Sequence, residues 1–318
     1  MQLKEPNKKY CYLLIFSFLT IFSCRNENTE SKVNGFDISP DKNFIVYSYK
    51  IDSLYTAFVK NIETGSLSMI TREIGSNTNP KFTEDGKTIV SVFYDKENVS
   101  TEFHFYDIKQ KKNIKKIKIP YGFISDYQFI NKEKLLYLKS ISFDSPSSFS
   151  PKSFHNYDIY ILDIRTAKSE KISDVDSYFM GEIAPLNDSL VVVSMVEDVE
   201  KSGLYLFKKE KNATLENMGR IMILNDSLRK STMYRNPVIL SENNIICASS
   251  YQLVSLDLKS KLESQILPSN GHHYNQIRSR GETIYYKQND NTDLVYYFDL
   301  NNKVIKYINL KIDSDIKN

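Results

Sequence analysis

Tryptophan is absent from this 318-residue chain, which also holds only three cysteines, four histidines and ten glycines. Each scarcity excludes a class of protein. Cys11 and Cys24 lie in or beside an N-terminal apolar run, which leaves Cys247 for the body of the chain, and one thiol closes no internal disulfide. It sits in Asn244-Ile245-Ile246-Cys247-Ala248 and reads as a small buried hydrophobe. His272 and His273 are adjacent and point apart on an extended chain, and no His-x-His or Glu-x-x-His spacing exists. Local spacing therefore builds no metal site, and no cofactor is expected. No Gly-x-Ser-x-Gly elbow occurs either. The formal charge is +3, and without residues 1–23 the balance falls to 39 basic against 38 acidic residues. Nothing in that balance attracts nucleic acid. Ala-, Leu- and Glu-rich helical windows are missing as well.

What is present is strand chemistry: 22 tyrosines, 18 phenylalanines and many Ile and Val, in a chain that is 41% apolar. The N-terminus is a separate segment. Lys4, Lys8 and Lys9 precede an apolar run from Tyr12 to Phe22 that is short for a bilayer span, so residues 1–23 read as a signal peptide. The run ends in Ile21-Phe22-Ser23-Cys24, with the polar Arg25-Asn26-Glu27-Asn28 after it. That junction resembles a bacterial lipobox, which implies lipidation at Cys24, a tether over 24–32 and a membrane partner through the acyl anchor. An ordinary signal peptide with an incidental cysteine is the alternative.

The rest of the chain repeats. The stretch Asn79-Pro80-Lys81-Phe82-Thr83-Glu84-Asp85-Gly86-Lys87-Thr88-Ile89-Val90 reads as strand, tight turn, strand, with Gly86 supplying the positive φ of a hairpin turn. Apolar residues taken to close the first strand of each copy fall at Phe36, Phe82, Phe129, Ile183, Ile239 and Ile277. A third strand ends on an Asx residue at Asn61, Asp107, Asp163, Asp257 and Asp299, and the fourth copy departs with Lys208-Lys209. From Asn61 to Asp299 five steps cover 238 residues, about 48 each. Four short antiparallel strands at this period describe a propeller blade, so the expectation is an all-β, six-bladed β-propeller over residues 33–311 with a polar tail at 312–318. Seven blades would need a hidden unit in Asn212–Asn236.

Phe36-Asp37-Ile38-Ser39-Pro40-Asp41-Lys42 and Pro80-Lys81-Phe82-Thr83-Glu84-Asp85-Gly86 resemble the repeat of TolB-like propellers. The resemblance implies a propeller lipoprotein lacking the small α/β domain that precedes the propeller in TolB.

In such a ring the inter-blade loops share one face with the loops between second and third strands, and the Asp-Gly-type turns lie on the other. The longest loop, Ser140–Asn156, carries His155 and several phenylalanines and should overhang the first face. Inter-blade loops there supply Arg72, Tyr121, Phe123, Tyr178, Tyr234, Arg235, His272, His273 and Tyr274. Asn79, Asp126 and Asn236 flank the innermost strands. Aromatic area with a few directed donors suits a peptide or sugar. Asx residues also satisfy loop backbone and tyrosines also pack between blades, so either role fits these residue types. The expected function is a non-catalytic binding or scaffold module of the bacterial cell envelope, at the outer membrane, for a protein, peptide or glycan ligand. A lyase-type carbohydrate enzyme is the rival. Asp52-Ser53-Leu54, Asp188-Ser189-Leu190 and Asp226-Ser227-Leu228 further resemble O-glycosylation tripeptides of some envelope proteins.

Overall fold

Short strands of aromatic and β-branched residues bury their faces only against neighbouring sheets. In the computed structural model they gather four at a time. The model describes residues 32–70, 75–95, 100–120, 122–144, 152–197, 201–210, 214–223, 233–249, 251–268, 271–290 and 292–312. Cys24, Arg72, Tyr121, the signal segment, nearly all of the tether and tail, and Asp226-Ser227-Leu228 lie outside these residues.

Blade one is β1 (Val33–Ile38), β2 (Phe44–Ile51), β3 (Leu54–Asn61) and β4 (Leu67–Met69). Blade two is β5 (Ser76–Phe82), β6 (Thr88–Asp95), β7 (Ser100–Asp107) and β8 (Lys112–Ile119). Blade three is β9 (Phe123–Phe129), β10 (Lys134–Asp144), β11 (Ser153–Asp163) and β12 (Lys168–Lys171), and blade four is β13 (Phe179–Pro185), β14 (Leu190–Val196), β15 (Gly203–Lys209) and β16 (Leu215–Arg220). Blade five runs β17 (Tyr234–Ser241), β18 (Asn244–Ser249), β19 (Gln252–Asp257) and β20 (Leu262–Leu267), and blade six β21 (Tyr274–Arg280), β22 (Thr283–Gln288), β23 (Leu294–Asp299) and β24 (Ile305–Asn309). Every sheet is an antiparallel meander in chain order, and no blade borrows a strand from another. The ring is six-bladed. Among the described residues, Asn212–Asn236 supplies β16 and the start of β17.

The recurrent Asx residue has a local cause. Asn61, Asp107, Asp163 and Asp257 each accept the backbone N–H three residues on, at 2.7–2.8 Å, and Asp299 accepts from Asn301 and Asn302 at 2.9 Å. The residue four positions after each takes a left-handed φ: Gly65, Lys111, Ala167, Lys261 and Lys303. A side-chain acceptor that fixes the turn and a left-handed residue that returns the chain are what a tight strand connection needs. The first hairpins of blades one and two use a related device, with Asp41 accepting from Asn43 N and Asp85 from Lys87 N, both at 3.1 Å.

Six apolar clusters lie between successive blades. With no tryptophan to fill them, the largest fully buried side chains are tyrosines and phenylalanines such as Tyr47, Tyr127, Phe36 and Phe103. Each such ring contributes on the order of 1.5–3 kcal/mol by leaving water. Tyr127 keeps its hydroxyl satisfied by donating to Val90 O at 2.7 Å.

Two expectations need correction. Phe36, Ile183, Ile239 and Ile277 do not close their strands: pairing continues to Ile38, Pro185, Ser241 and Arg280. The Ser140–Asn156 segment is not all loop either. β10 reaches Asp144 and β11 starts at Ser153, which pair with each other, so blade three carries the longest hairpin of the ring.

Candidate functional site

Register decides which side chains face the axis. All six innermost strands carry a bulge at the same height, between Val33 and Phe36, Thr78 and Lys81, Ile124 and Asp126, Met180 and Ile183, Arg235 and Val238, and Asn275 and Arg278. A bulge twists its strand and re-aims the residue it displaces. Counting three residues back from Ile38, Phe82, Phe129, Pro185, Ile239 and Ser279, which pair with the first buried apolar residue of the second strand in each blade, gives Gly35, Asn79, Asp126, Glu182, Asn236 and Gln276. These six equivalent positions form a belt around the channel.

The belt ties blade to blade. Asn79 Nδ2 donates to Asp126 Oδ1 at 3.0 Å, and Asp126 Oδ2 accepts from Ile183 N at 3.1 Å. Glu182 Oε2 accepts from Asn236 N at 3.2 Å, Asn236 Oδ1 from Gln276 N at 3.1 Å, and Gln276 Oε1 from Gly35 N at 3.2 Å. Between blades one and two, Asp37 Oδ2 accepts from Phe82 N at 2.9 Å. Gly35, at φ 82°, is required here: a Cβ on it would stand 2.9 Å from the Asn79 Cα. Asn79, Asn236 and Gln276 also hold left-handed φ angles of 50–55°. Asn tolerates that region better than most residues, and Gln276 holds it as part of the bulge.

One layer below, the equivalent positions include Asp37, Lys81 and Arg278. Lys81 Nζ meets Asp126 Oδ1 at 2.7 Å, with the two side chains 3% and 5% exposed, and it also donates to Tyr127 O. Burial pushes the Lys81 ammonium down to about 8 despite Asp126 beside it. Asp37 takes both its oxygens to Arg280 Nη2 at 3.0 Å, and Arg280 Nε donates to Ile38 O, which closes blade six on blade one. Glu182 is half-buried at the base of the channel mouth, and desolvation raises its carboxyl above the ordinary range although Ser194 Oγ donates to it.

Above this layer, on the inter-blade face, opens a cavity of about 440 Å³. Its walls include Tyr55, Tyr94 and Phe123, and its base Asn79, Asp126, Glu182, Asn236, Gln276 and Arg278. Tyr94 is fixed by its hydroxyl, which donates to Ile124 O at 2.7 Å and accepts from Ile124 N at 3.0 Å. Its ring stacks on Phe123 (5.4 Å between centroids), which stacks in turn on Phe154 (5.0 Å) of the long hairpin. A second cavity, of about 630 Å³, opens on the turn face and is lined by Pro40, Pro185 and Pro237 around Lys81, Arg278 and Arg280. Arg278 borders both cavities, and the Lys81–Asp126 pair lies between them.

Of the residues expected from sequence, Asn79, Phe123, Asp126 and Asn236 line the inter-blade cavity. The other described ones do not line it. Tyr234 and Tyr274 are buried, with their hydroxyls donating to Glu263 Oε2 (2.5 Å) and Pro268 O (2.9 Å). His155 stands on the blade-three hairpin between Asn156 and Asp144, stacked on the exposed Tyr178. Arg235 is exposed beside Met233, His273 stacks on Tyr251, and His272 is exposed next to it. Tyr55, Tyr94, Glu182, Gln276 and Arg278 are cavity residues that sequence reasoning missed. Three of them have a signal in the repeat: shifting the frame of blades four and six by two residues aligns Glu182 and Gln276 with Asn79, and Arg278 with Lys81. Among the described residues, no group of three or more His, Cys, Asp or Glu is placed to hold a metal ion.

No protein-family model and no curated protein matches the sequence. Solved structures do match the fold. The tricorn protease superposes with a TM-score of 0.59 at 14% identity over 90% of this chain, which spans 27% of that protein. An oligogalacturonate lyase in complex with manganese gives a TM-score of 0.57 at 12% identity, covering 89% of this chain and 80% of the lyase. TolB from Acinetobacter baumannii gives 0.58 at 12% identity, with 92% and 67% covered. At these identities the likeness is one of architecture: the chain is similar to TolB and to the lyase as a six-bladed β-propeller with four-stranded blades.

Proposed function

We propose that this protein is a non-catalytic binding module of the cell envelope, held to a membrane by lipid on Cys24, that takes a peptide segment of a partner protein at the inter-blade mouth of the channel. The observation that carries this reading is the composition of the 440 Å³ cavity, in which flat aromatic walls from Tyr55, Tyr94 and Phe123 stand over a base of amides and charges. Aromatic area gives affinity without sequence demands, and fixed polar groups at the base orient a backbone. The envelope placement draws on the Lys-rich, apolar N-terminus with its Ser23-Cys24 junction and on the likeness to TolB.

A peptide array and an oligosaccharide array probed in parallel test the ligand class. Wild-type protein should bind peptides, and Phe123→Ala should lose that binding while keeping its thermal transition. Binding confined to oligosaccharides turns the reading to a glycan module, and binding to neither rejects it. Cys24→Ala should move the protein from the membrane to the soluble fraction, and unchanged fractionation rejects the anchor. The rival carbohydrate enzyme needs a metal or acid–base set to converge. His155, His272 and His273 all lie outside the cavity.

A further inference from the structure

The belt uses one half of each amide between blades and leaves the other half. Asn236 Oδ1 and Gln276 Oε1 are the oxygens that accept inter-blade N–H groups, so the network itself fixes which end is nitrogen. Nδ2 of Asn236 and Nε2 of Gln276 make no hydrogen bond to a described group, and both residues line the inter-blade cavity. Just below them is Arg278. Its Nη1 donates to the neighbouring Ile277 O at 2.9 Å, while its Nε is buried with no acceptor at all. A buried guanidinium N–H left without an acceptor is costly, which makes it a place where a ligand atom would be welcome.

The other cations at this depth are already engaged, Lys81 with Asp126 and Tyr127 O, and Arg280 with Asp37 and Ile38 O. Arg278 is therefore the cation whose donors remain, and it stands with two amide donors on the side of blades five and six. Asp126 and Glu182 sit across from it on blades three and four. Asp126 is paired with Lys81, and Glu182 Oε2 is taken by Ser194 Oγ and Asn236 N, so neither carboxylate accepts from Arg278 Nε.

We propose that Arg278, Gln276 and Asn236 form a carboxylate-binding site, and that the ligand of the inter-blade mouth enters as a peptide C-terminus with its α-carboxylate on these donors. This rests on the peptide-binding reading above. A planar guanidinium with adjacent amide N–H groups matches a carboxylate in shape and charge. Capture of a chain terminus by clustered donors is an established recognition mode. The last side chain of the peptide would lie against Tyr94 and Phe123. A polyuronate fits less well, because its second carboxylate would face Asp126 and Glu182 with no cation left to meet it.

The test uses the full chain in detergent micelles and two immobilised random hexapeptide libraries, one with free C-termini and one C-terminally amidated. Free carboxyl peptides should be retained about tenfold more tightly than amides, the size expected of a charge-assisted hydrogen bond. Arg278→Gln should erase that preference. So should Gln276→Glu, which keeps an oxygen for Gly35 N while placing a carboxylate in the site, and which guards against a folding defect in the arginine variant. Equal retention of both libraries overturns the carboxylate site while leaving peptide binding standing. Retention of neither, with binding to oligogalacturonate, overturns both in favour of an acidic glycan.

Discussion

Ser39 and Thr83 are equivalent residues at the turn face, and they do the same thing: each donates to an Asp two residues on, Asp41 or Asp85, that in turn accepts the backbone N–H of Asn43 or Lys87. Gly35 and Asn79 are equivalent residues toward the opposite face, and they share a left-handed φ but not a role. Gly35 is empty so that its strand can approach Asn79, while Asn79 reaches across to Asp126 in blade three. A turn answers only to its own few residues, and so it repeats. A belt position answers to the blade beside it, and so it diverges. The same scaffold thereby holds a periodic face and an individual one, and the individual one is where a ligand can be distinguished.

Mutations on the two sides should differ accordingly. Lys81→Met leaves Asp126 charged, buried and without its partner, and should cost about 3–5 kcal/mol in urea unfolding. A loss under 1 kcal/mol would mean Asp126 takes up its proton at little expense. Asp37→Ala removes the acceptor of Phe82 N and the partner of Arg280 together, and about 2–3 kcal/mol should go from the same transition. Glu182→Gln should act with pH. The folded-state carboxyl is raised by burial, so the folded protein binds more protons than the unfolded chain above about pH 4.5, and stability falls as pH rises through that window. The glutamine variant should be more stable than wild type at neutral pH, with the gain vanishing toward pH 4.5. A gain independent of pH would assign the effect to packing. On the periodic face, Gly86→Ala, at φ 67° with Pro40 Cδ 3.2 Å from the new Cβ, should cost only about 1 kcal/mol. A larger loss there would show that the turn answers to more than its own residues.

The legibility of the sequence follows the same division. Asp85-Gly86 and the Asx residues that end the third strands carry their structural reason within five residues, so strand order, blade count and faces could be read from them. The belt could be read only where the strand frame was right. Asn79, Asp126 and Asn236 come from blades whose last paired apolar residue was identified correctly. Glu182, Gln276 and Arg278 were missed because Ile183 and Ile277 are core residues two short of Pro185 and Ser279, which pair with the first buried apolar residue of the second strand, and period-2 alternation hides such a slip. Tyr55 and Tyr94 lie outside the innermost strands, and their presence at the mouth depends on blade tilt that no local pattern encodes. Tyr234 and Tyr274 show the converse, since buried tyrosines between blades and tyrosines facing a ligand have the same sequence appearance.

Asp293 accepts from Lys32 N through its side chain at 3.1 Å and from Leu310 N through its carbonyl at 2.8 Å, so the beginning and the end of the ring meet at one residue. With every blade cut from one continuous stretch of chain, the order of blades around the axis is independent of where the polypeptide starts. A circular permutant that joins residue 312 to residue 32 through a short linker and opens instead between blades four and five would retain all twenty-four strands and every belt bond. The ring is topologically indifferent to its own termini, and a new starting point could be chosen to present the channel mouth from any side.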